Sequence, residues 1–194
     1  TDGNIISYDA SGNPVAIATG SSGQVLTSAG AGAPPAFAAA GGGQFASYAY
    51  IVDEKANATH SGTFTSGSWQ TRDLNTEVTD EDSIVSISSN EFTLAAGAYL
   101  IHWSAPGYQV NVHQTRLYDE TNGAVIQYGT SAFSHDTNST TNRSFGWARV
   151  APGGSTAYKL EHRASNTVAS SGYGERASFG NVNIYSEMLI LKES

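Results

Sequence analysis

The five histidines are the side chains best suited to acid–base or metal chemistry in this sequence, which contains no cysteine. They occupy positions 60, 102, 113, 135 and 162, and no two have the His-x-x-x-His spacing of a metal motif. His102, His113 and His162 fall in the middle of predicted strands, which favours structural or surface roles. We therefore predict no metal site and no cofactor.

Acidic residues offer two further chemistries, calcium binding and glycoside hydrolysis. The segment Thr79–Asp82 could supply oxygen ligands, but it lacks the spacing of a calcium loop and is interpreted as a solvated turn. Glycosidases need two carboxylates placed across a sugar, and the 17 acidic residues single out no pair. No nucleophile elbow or phosphate-binding glycine motif occurs. We predict that the chain is not an enzyme, with polysaccharide depolymerase as an alternative.

Binding chemistry is better represented, in loops rich in Ser, Thr, Asn and Gly. The predicted polar loop 131–142 is long enough to carry function. Aromatic faces stack on sugars or protein, and Asp, Asn and Arg side chains bind hydroxyls or carboxylates. The candidate receptor-binding residues are Tyr108, Phe133, His135, Asp136, Asn138, Tyr173 and Arg176.

Charge and composition exclude several classes of protein. The formal charge of −8 argues against binding to a nucleic-acid backbone. No apolar run approaches the roughly 18 to 20 residues of a membrane-spanning helix, so we expect no membrane insertion. The lack of cysteine removes disulfides and thiolate metal sites, and it fits assembly in a reducing cytosol followed by release.

The amino-acid composition of the chain changes near Gly43. From Ala10 to Gly43, 34 residues include 8 Gly, 10 Ala and 4 Ser, with short apolar islands about ten residues apart. One interpretation is a flexible linker. The other is an extended stalk in which three copies cover one another's apolar islands. We assign 1–43 to a low-complexity stalk or trimerisation segment and 44–194 to a separate head.

The head has the pattern of an all-β domain, because strands of about five to ten residues alternate with turns. Residues 110 to 118 alternate well, Asn122-Gly123 predicts a tight hairpin turn, and residues 188 to 191 form the most apolar run. No long stretch has a helical period. Eight to ten strands in about 150 residues predict a two-sheet sandwich or jelly roll.

The three tryptophans are predicted to pack in the core or in a subunit interface rather than to bind ligand. Trp103 and Trp147 lie in apolar strands, and Trp69 precedes a strand containing Leu74.

Two parts of the sequence resemble known families. The block from Asp9 to Phe37 resembles the stalk segments that precede bacteriophage tail-fibre tips. The order Phe92-Thr93, Gly97, Tyr99 and, 80 residues later, Phe179-Gly180 before a last apolar strand resembles the complement-head and tumour-necrosis-factor-like jelly rolls. Residues 69 to 75 resemble a variant of that fold common in bacteriophage and bacterial sequences.

The resemblance implies a compact homotrimer with its chain ends at the base and loops at the apex. These apex connections would lie near residues 53–66, 105–109, 129–143 and 165–178, and they carry the candidate residues. Together the two resemblances predict a virion fibre or spike tip, assembled in the host cytoplasm and displayed on the virion surface.

The predicted partners are the rest of a virion fibre preceding this chain and a receptor on a bacterial cell. A surface glycan is the expected receptor, with an outer-membrane protein second. Three other roles remain open: a capsid-decoration or assembly trimer without a receptor, a polysaccharide depolymerase, and a secreted bacterial adhesin of the same fold.

Overall fold

The computed structural model describes residues 3–40 and 43–194, which contain fifteen β-strands and no helix. None of this described chain forms a helix of the length and apolar character needed to cross a membrane. The chain divides into two compact units, Thr1–Gly43 and Gln44–Ser194. Residues 1, 2, 41 and 42 of the predicted stalk lie outside the described residues.

The first unit consists of two short antiparallel hairpins. In one, β1 (Ile5–Tyr8) pairs with β2 (Pro14–Ile17), and in the other β3 (Gln24–Thr27) pairs with β4 (Ala36–Ala39). The apolar islands of the sequence are therefore strands, which the Gly- and Ala-rich composition did not predict. Each hairpin alone leaves apolar side chains uncovered, and Ile6 is 72% exposed.

The second unit, the head, contains eleven strands. They are β5 (Phe45–Lys55), β6 (Gln70–Thr71), β7 (Thr76–Thr79), β8 (Val85–Ser88), β9 (Glu91–Leu94), β10 (Tyr99–Tyr108), β11 (Asn111–Asp119), β12 (Ala124–Ser134), β13 (Thr141–Val150), β14 (Thr156–Ala164) and β15 (Asn183–Glu193).

These strands form two antiparallel sheets. The five-stranded sheet has the order β13-β10-β15-β5-β7, and the second has the order β12-β11-β14-β9-β8, with the short β6 paired to β14. Successive strands from β9 to β14 cross between the sheets or pair as neighbours, and the last strand lies centrally beside the first. This is a jelly roll, so the predicted all-β fold class is confirmed.

The core lies between the two sheets and is built from alternate residues of each strand. Trp103, Ile101, Met188 and Ile190 of the five-stranded sheet face Leu117 and others of the second sheet, and all five are fully buried. The Trp103 indole N–H donates to Thr115 Oγ1 at 2.8 Å, so the largest core side chain is satisfied as a hydrogen-bond donor.

Both ends of the head chain lie at one end of the sandwich. Glu193 is in register with Phe45, and β5 runs from there to Lys55. The connection 56–69 therefore starts at the opposite end of the sandwich.

Several elements differ in length from the sequence prediction. Strand β10 continues through Pro106 to Tyr108, because beyond Ser104 it pairs only with β13 and tolerates a missing N–H. The turn at Asn122-Gly123 spans residues 120–123 rather than two residues. Only Gly123 has a positive φ, and the Asp119 carboxylate accepts a bond from the Asn122 N–H.

Candidate functional site

Four connections meet at the end of the sandwich away from Phe45, namely residues 56–69, 109–110, 135–140 and 165–182. Backbone hydrogen bonds join them: Phe64 pairs with Val168 in an isolated bridge, and the Tyr108 N–H donates to Gly172 O at 3.0 Å. These loops are thus tied to one another. Two of them, 109–110 and 135–140, are shorter than predicted, because strands occupy residues 105–108, 129–134 and 141–143.

Three predicted binding residues share the short connection 135–140. His135 Nδ1 accepts a bond from the Thr137 N–H at 3.2 Å, and the Asp136 carboxylate accepts one from the Asn166 side-chain amide, also at 3.2 Å. Asn138 is exposed beside them. The structure therefore brings His135, Asp136 and Asn138 together on an accessible turn.

Phe133 lies in a strand and not in a loop as predicted. It is opposite Val112 on the outer face of the second sheet, is 53% exposed, and its ring centroid is 6.1 Å from that of His135. Phe133 therefore extends the exposed surface of the 135–140 turn onto the side of the head.

Tyr173 packs inward rather than presenting its ring to a partner. Its ring centroid is 4.5 Å from that of Phe64, and the Arg72 guanidinium lies 4.1 Å from it on a ring face. Burial raises the pKa of Tyr173 to about 12. These contacts give Tyr173 a packing role beneath the loops.

The remaining two predicted residues lie elsewhere at this end. Tyr108 is half-buried at the last position of β10. Arg176 is exposed and donates to Ala58 O at 2.8 Å, which connects two loops. The structure does not join Tyr108, Tyr173 and Arg176 to the His135 turn in a single contact cluster.

A groove that the sequence did not predict opens on the outer face of the second sheet. It has a volume of about 420 Å³ and is lined by Ser66, Gly67, Trp69, Val112, His113, Gln114, Arg163, Ala164 and Ser165. Its floor consists of β11 and β14, where Gln114 is in register with Arg163. The connection before β6 supplies the other wall, including the half-buried Trp69.

The Trp69 ring is held above the sheet by a cation. The Arg116 guanidinium lies 4.3 Å from the ring centroid, and its Nε donates to the Glu161 carboxylate at 2.6 Å. The Tyr128 ring is 5.9 Å away, on the neighbouring strand β12. Trp69 was predicted to pack in the core or an interface; it is not in the core, and the structure places it at a surface groove.

Charges around the groove leave one cation unbalanced. Arg116 pairs with Glu161, and Lys159 pairs with Glu120 and Glu161. The exposed Arg163 side chain has no hydrogen-bond or ion-pair partner among residues 3–40 and 43–194. The groove therefore carries a free guanidinium although the whole chain is strongly acidic.

Beneath the groove lies a second buried cluster centred on polar side chains. The guanidinium of Arg72 is completely buried and donates to Ser186 Oγ, Pro106 O and Tyr173 O. Burial lowers its pKa to about 10. The neighbouring rings of His113 and His162 are also buried. Arg72 lies in the segment 69–75 that resembles a variant of the fold, but nothing in the sequence predicted that its guanidinium is buried.

The outer face of the five-stranded sheet has a different character. Cross-strand registers place Trp147, His102, Leu189 and Tyr50 in one row. Leu100 and Leu191 lie at the centre of the next row, between Arg149 and Tyr48 at its two ends. Trp147 is 67% exposed, and the three leucines are half-buried. This assembly face, as we call it, is an unusually apolar surface for a solvated sheet.

The three tryptophans, all predicted to pack in the core or a subunit interface, differ in where the structure places them. Trp103 is in the core as predicted, because it alternates inward on β10. Trp147 is not in the core, because its strand turns that position outward.

Residues 3–40 and 43–194 contain no group of three or more His, Asp or Glu placed to hold a metal ion. The Asp80 carboxylate within Thr79–Asp82 instead accepts bonds from the backbone N–H groups of Ile84 and Val85, at 2.8 and 3.0 Å. It closes the turn before β8.

No protein-family model matches the chain, and no curated protein matches it. Solved structures do match. Murine APRIL at pH 8.0 aligns over 75% of this chain and 98% of its own, with 10% identity and a TM-score of 0.48. The globular domain of zebrafish complement 1qA aligns over 75% and 95%, with 14% identity and a TM-score of 0.49.

The vertex protein P5 of PRD1 aligns over 78% of this chain and 100% of its own, with 11% identity and a TM-score of 0.42. Strand order, rather than these likenesses, establishes the jelly roll.

Proposed function

We propose that this chain is the tip of a virion fibre or spike, which assembles as a homotrimer and binds a glycan on a bacterial cell surface without acting as an enzyme. The observation that carries the proposal is that the two outer faces of the jelly roll expose different sets of side chains. The five-stranded sheet exposes Trp147 next to a row of half-buried leucines, which suits contact with protein. The second sheet exposes aromatic rings beside the groove at Trp69 and Arg163, which suits contact with a sugar.

The assembly face supports association with copies of the same chain. Leu100, Leu189 and Leu191 are half-buried and lie near the exposed Trp147, and covering apolar surface is worth about 25 cal/mol per Å². At the edge of the patch, Glu187 accepts bonds from Arg143 at 2.7 Å and from the Tyr50 hydroxyl at 2.8 Å. A polar border of paired groups around an apolar centre is typical of protein interfaces.

The number three follows from the resemblance of the sequence to trimeric heads and fits the first unit as well. Its hairpins expose Ile6, Val25 and Leu26, which a single copy cannot cover. Winding with other copies would bury them. The rest of the fibre would precede this segment, and the head would stand at the virion surface.

Trimerisation also supports adhesion through weak sites. Covering the five-stranded sheet leaves the second sheet and the 135–140 turn accessible in each copy. Three identical sites on one particle raise overall binding by about 10² to 10⁴ without new contacts. A glycan is the proposed receptor, and an outer-membrane protein is the alternative.

Light scattering on the full chain and on residues 44–194 tests the assembly. We expect three times the 20.3 kDa mass of one chain for the full protein, and a trimer for the head fragment. Fluorescently labelled protein mixed with candidate host bacteria, before and after removal of capsule and lipopolysaccharide, tests adhesion. Monomers in both samples would overturn the assembly. A trimer that ignores every cell would point to capsid decoration, and release of reducing ends from capsule would reveal a depolymerase.

A further inference from the structure

We propose that the groove at Trp69 and Arg163 binds an acidic saccharide, with the carboxylate of the sugar on Arg163 and its ring against Trp69. This inference rests on the proposed function and specifies its ligand. It also moves the main contact from the loops to the side of the head.

Arg163 supplies the recognition of charge. Its guanidinium is exposed at the groove and has no partner within the described residues 3–40 and 43–194. A guanidinium presents parallel N–H donors that match the two oxygens of a carboxylate. The other eight basic side chains include Lys192, which also lacks a hydrogen-bond or ion-pair partner within those residues but lies on β15, away from the groove.

Gln114 supplies a neutral polar contact beside Arg163. Its side-chain N–H donates to Gly129 O at 2.9 Å, which fixes the amide and leaves its oxygen as an acceptor. Since Gln114 and Arg163 are in register on β11 and β14, the two groups project from the same side of the sheet. A carboxylate and a neighbouring hydroxyl of one sugar ring could therefore be bound together.

Trp69 supplies the apolar contact. Arg116 covers one face of the indole, and the ring still lines the groove with part of its surface exposed. The ion pair between Arg116 and Glu161 holds that guanidinium in place, so the ring is positioned before any ligand arrives. The C–H groups of a pyranose pack well against such a fixed aromatic surface.

The groove is rigid and has a suitable size. Two strands form its floor, and the Ser66 N–H bonds to Thr167 Oγ1 at 2.9 Å, which ties the connection on one wall to the loop after β14. The volume of about 420 Å³ falls within the roughly 300–1,000 Å³ of small-ligand sites. A site on strands loses little conformational entropy on binding.

The test is calorimetric titration of the full chain with trigalacturonic acid and with its methyl ester, which has the same rings without charge. We expect the acid to bind and the ester to bind at least about 10-fold more weakly. Added salt should lower the affinity for the acid. The Arg163→Gln and Trp69→Ala variants should each lose about 10-fold or more in affinity for the acid. Arg163→Lys should retain part of it, because it keeps the charge without the planar fork.

Lys192→Gln is the matched control, since it removes one equally unpaired charge from another part of the head. It should bind the acid as the wild type does. Equal binding of acid and ester, no binding of either, or unchanged affinity in Arg163→Gln would overturn the groove assignment. Thermal melts confirm that each variant is folded.

Cell adhesion of the same variants separates this inference from the proposed function. If the wild type binds bacteria and Arg163→Gln and Trp69→Ala bind equally well, adhesion stands and the groove is not the receptor site. If the acid binds in the groove and no cell is bound, the saccharide site stands and the adhesion proposal fails.

Discussion

Nδ1 of His113 and Nε2 of His162 lie 2.9 Å apart inside the head, so one ring donates a hydrogen bond to the other. The other ring nitrogens, His113 Nε2 and His162 Nδ1, are buried without a partner among residues 3–40 and 43–194. Burial, reinforced by the charge of Arg72, lowers the pKa of His113 to about 4. The same causes lower the pKa of His162 well below its usual value.

The histidine pair predicts acid sensitivity. In the unfolded chain both rings titrate near pH 6.5, whereas in the folded head His113 has a pKa of about 4 and the pKa of His162 is also held well below its usual value. Between these values the unfolded state binds more protons, so the free energy of unfolding falls as the pH falls. At pH 5 the loss from His113 alone is on the order of 2 kcal/mol, and His162 adds a loss of the same sign.

Urea unfolding at pH 7.5, 6 and 5 measures this loss. His113→Asn keeps a hydrogen-bonding side chain but removes one titrating group, so its pH dependence should be shallower than that of the wild type. A free energy of unfolding that stays constant over this range contradicts the assignment.

Replacing Gly146 by a residue with a side chain should disrupt the packing of the core. A Cβ added there overlaps the indole of Trp103, which is completely buried and hydrogen-bonded to Thr115. Gly146→Ala should therefore lower the free energy of unfolding by about 1–3 kcal/mol. Gly153→Ala is the control, because nothing lies within 4 Å of the added carbon. Equal urea midpoints for the two variants would disprove the overlap.

Removing the buried hydrogen-bond donors of Arg72 should lower the free energy of unfolding strongly. Arg72→Met leaves Ser186 Oγ, Pro106 O and Tyr173 O without their buried donor. Unsatisfied buried acceptors cost about 1–3 kcal/mol each, and we expect a total loss of about 3 kcal/mol in urea unfolding. Arg149→Met removes an exposed guanidinium that pairs with Glu193 and should change stability little. A small effect at Arg72 would mean that water replaces its bonds.

A substitution at Trp147 tests whether the subunits contact one another through the assembly face. Trp147→Glu places a charge on the exposed apolar ring at the β13 edge of the assembly face and should convert the proposed trimer to monomers in light scattering. Phe179→Glu is the control. Phe179 is 88% exposed in the connection before β15 and lies off the sheet. A trimer that survives Trp147→Glu and dissociates with Phe179→Glu would place the contact at the loops.

The strand patterns in the sequence were enough to predict the all-β fold class. Residues 110–118 alternate between two faces of a strand, and residues 188–191 form a long apolar run. The same reasoning could not say which face of a strand is buried, so Trp147 was assigned to the core or an interface without distinction. Phe133 was assigned to a loop because it lies in the polar stretch 131–142. Pairing with β11 holds it in a sheet.

The groove could not be predicted, because its parts come from distant segments. Trp69 and Arg163 are nearly a hundred positions apart, and only the pairing of β6 and β11 with β14 brings them to one surface. The sequence likewise could not show that Arg163 lacks an ion-pair partner, because this depends on which acidic groups the fold places near it.

The groove residues alternate with core residues along the same strands. Val112, Gln114 and Arg163 point outward, whereas His113, Thr115 and His162 point inward. If the head binds a receptor as we propose, a substitution at an outward position alters that recognition and leaves the interior packing in place. A virus with such a tip could follow a change in the coat of its host by single point mutations. Selection for a new host would then act on recognition with little conflict from selection for folding.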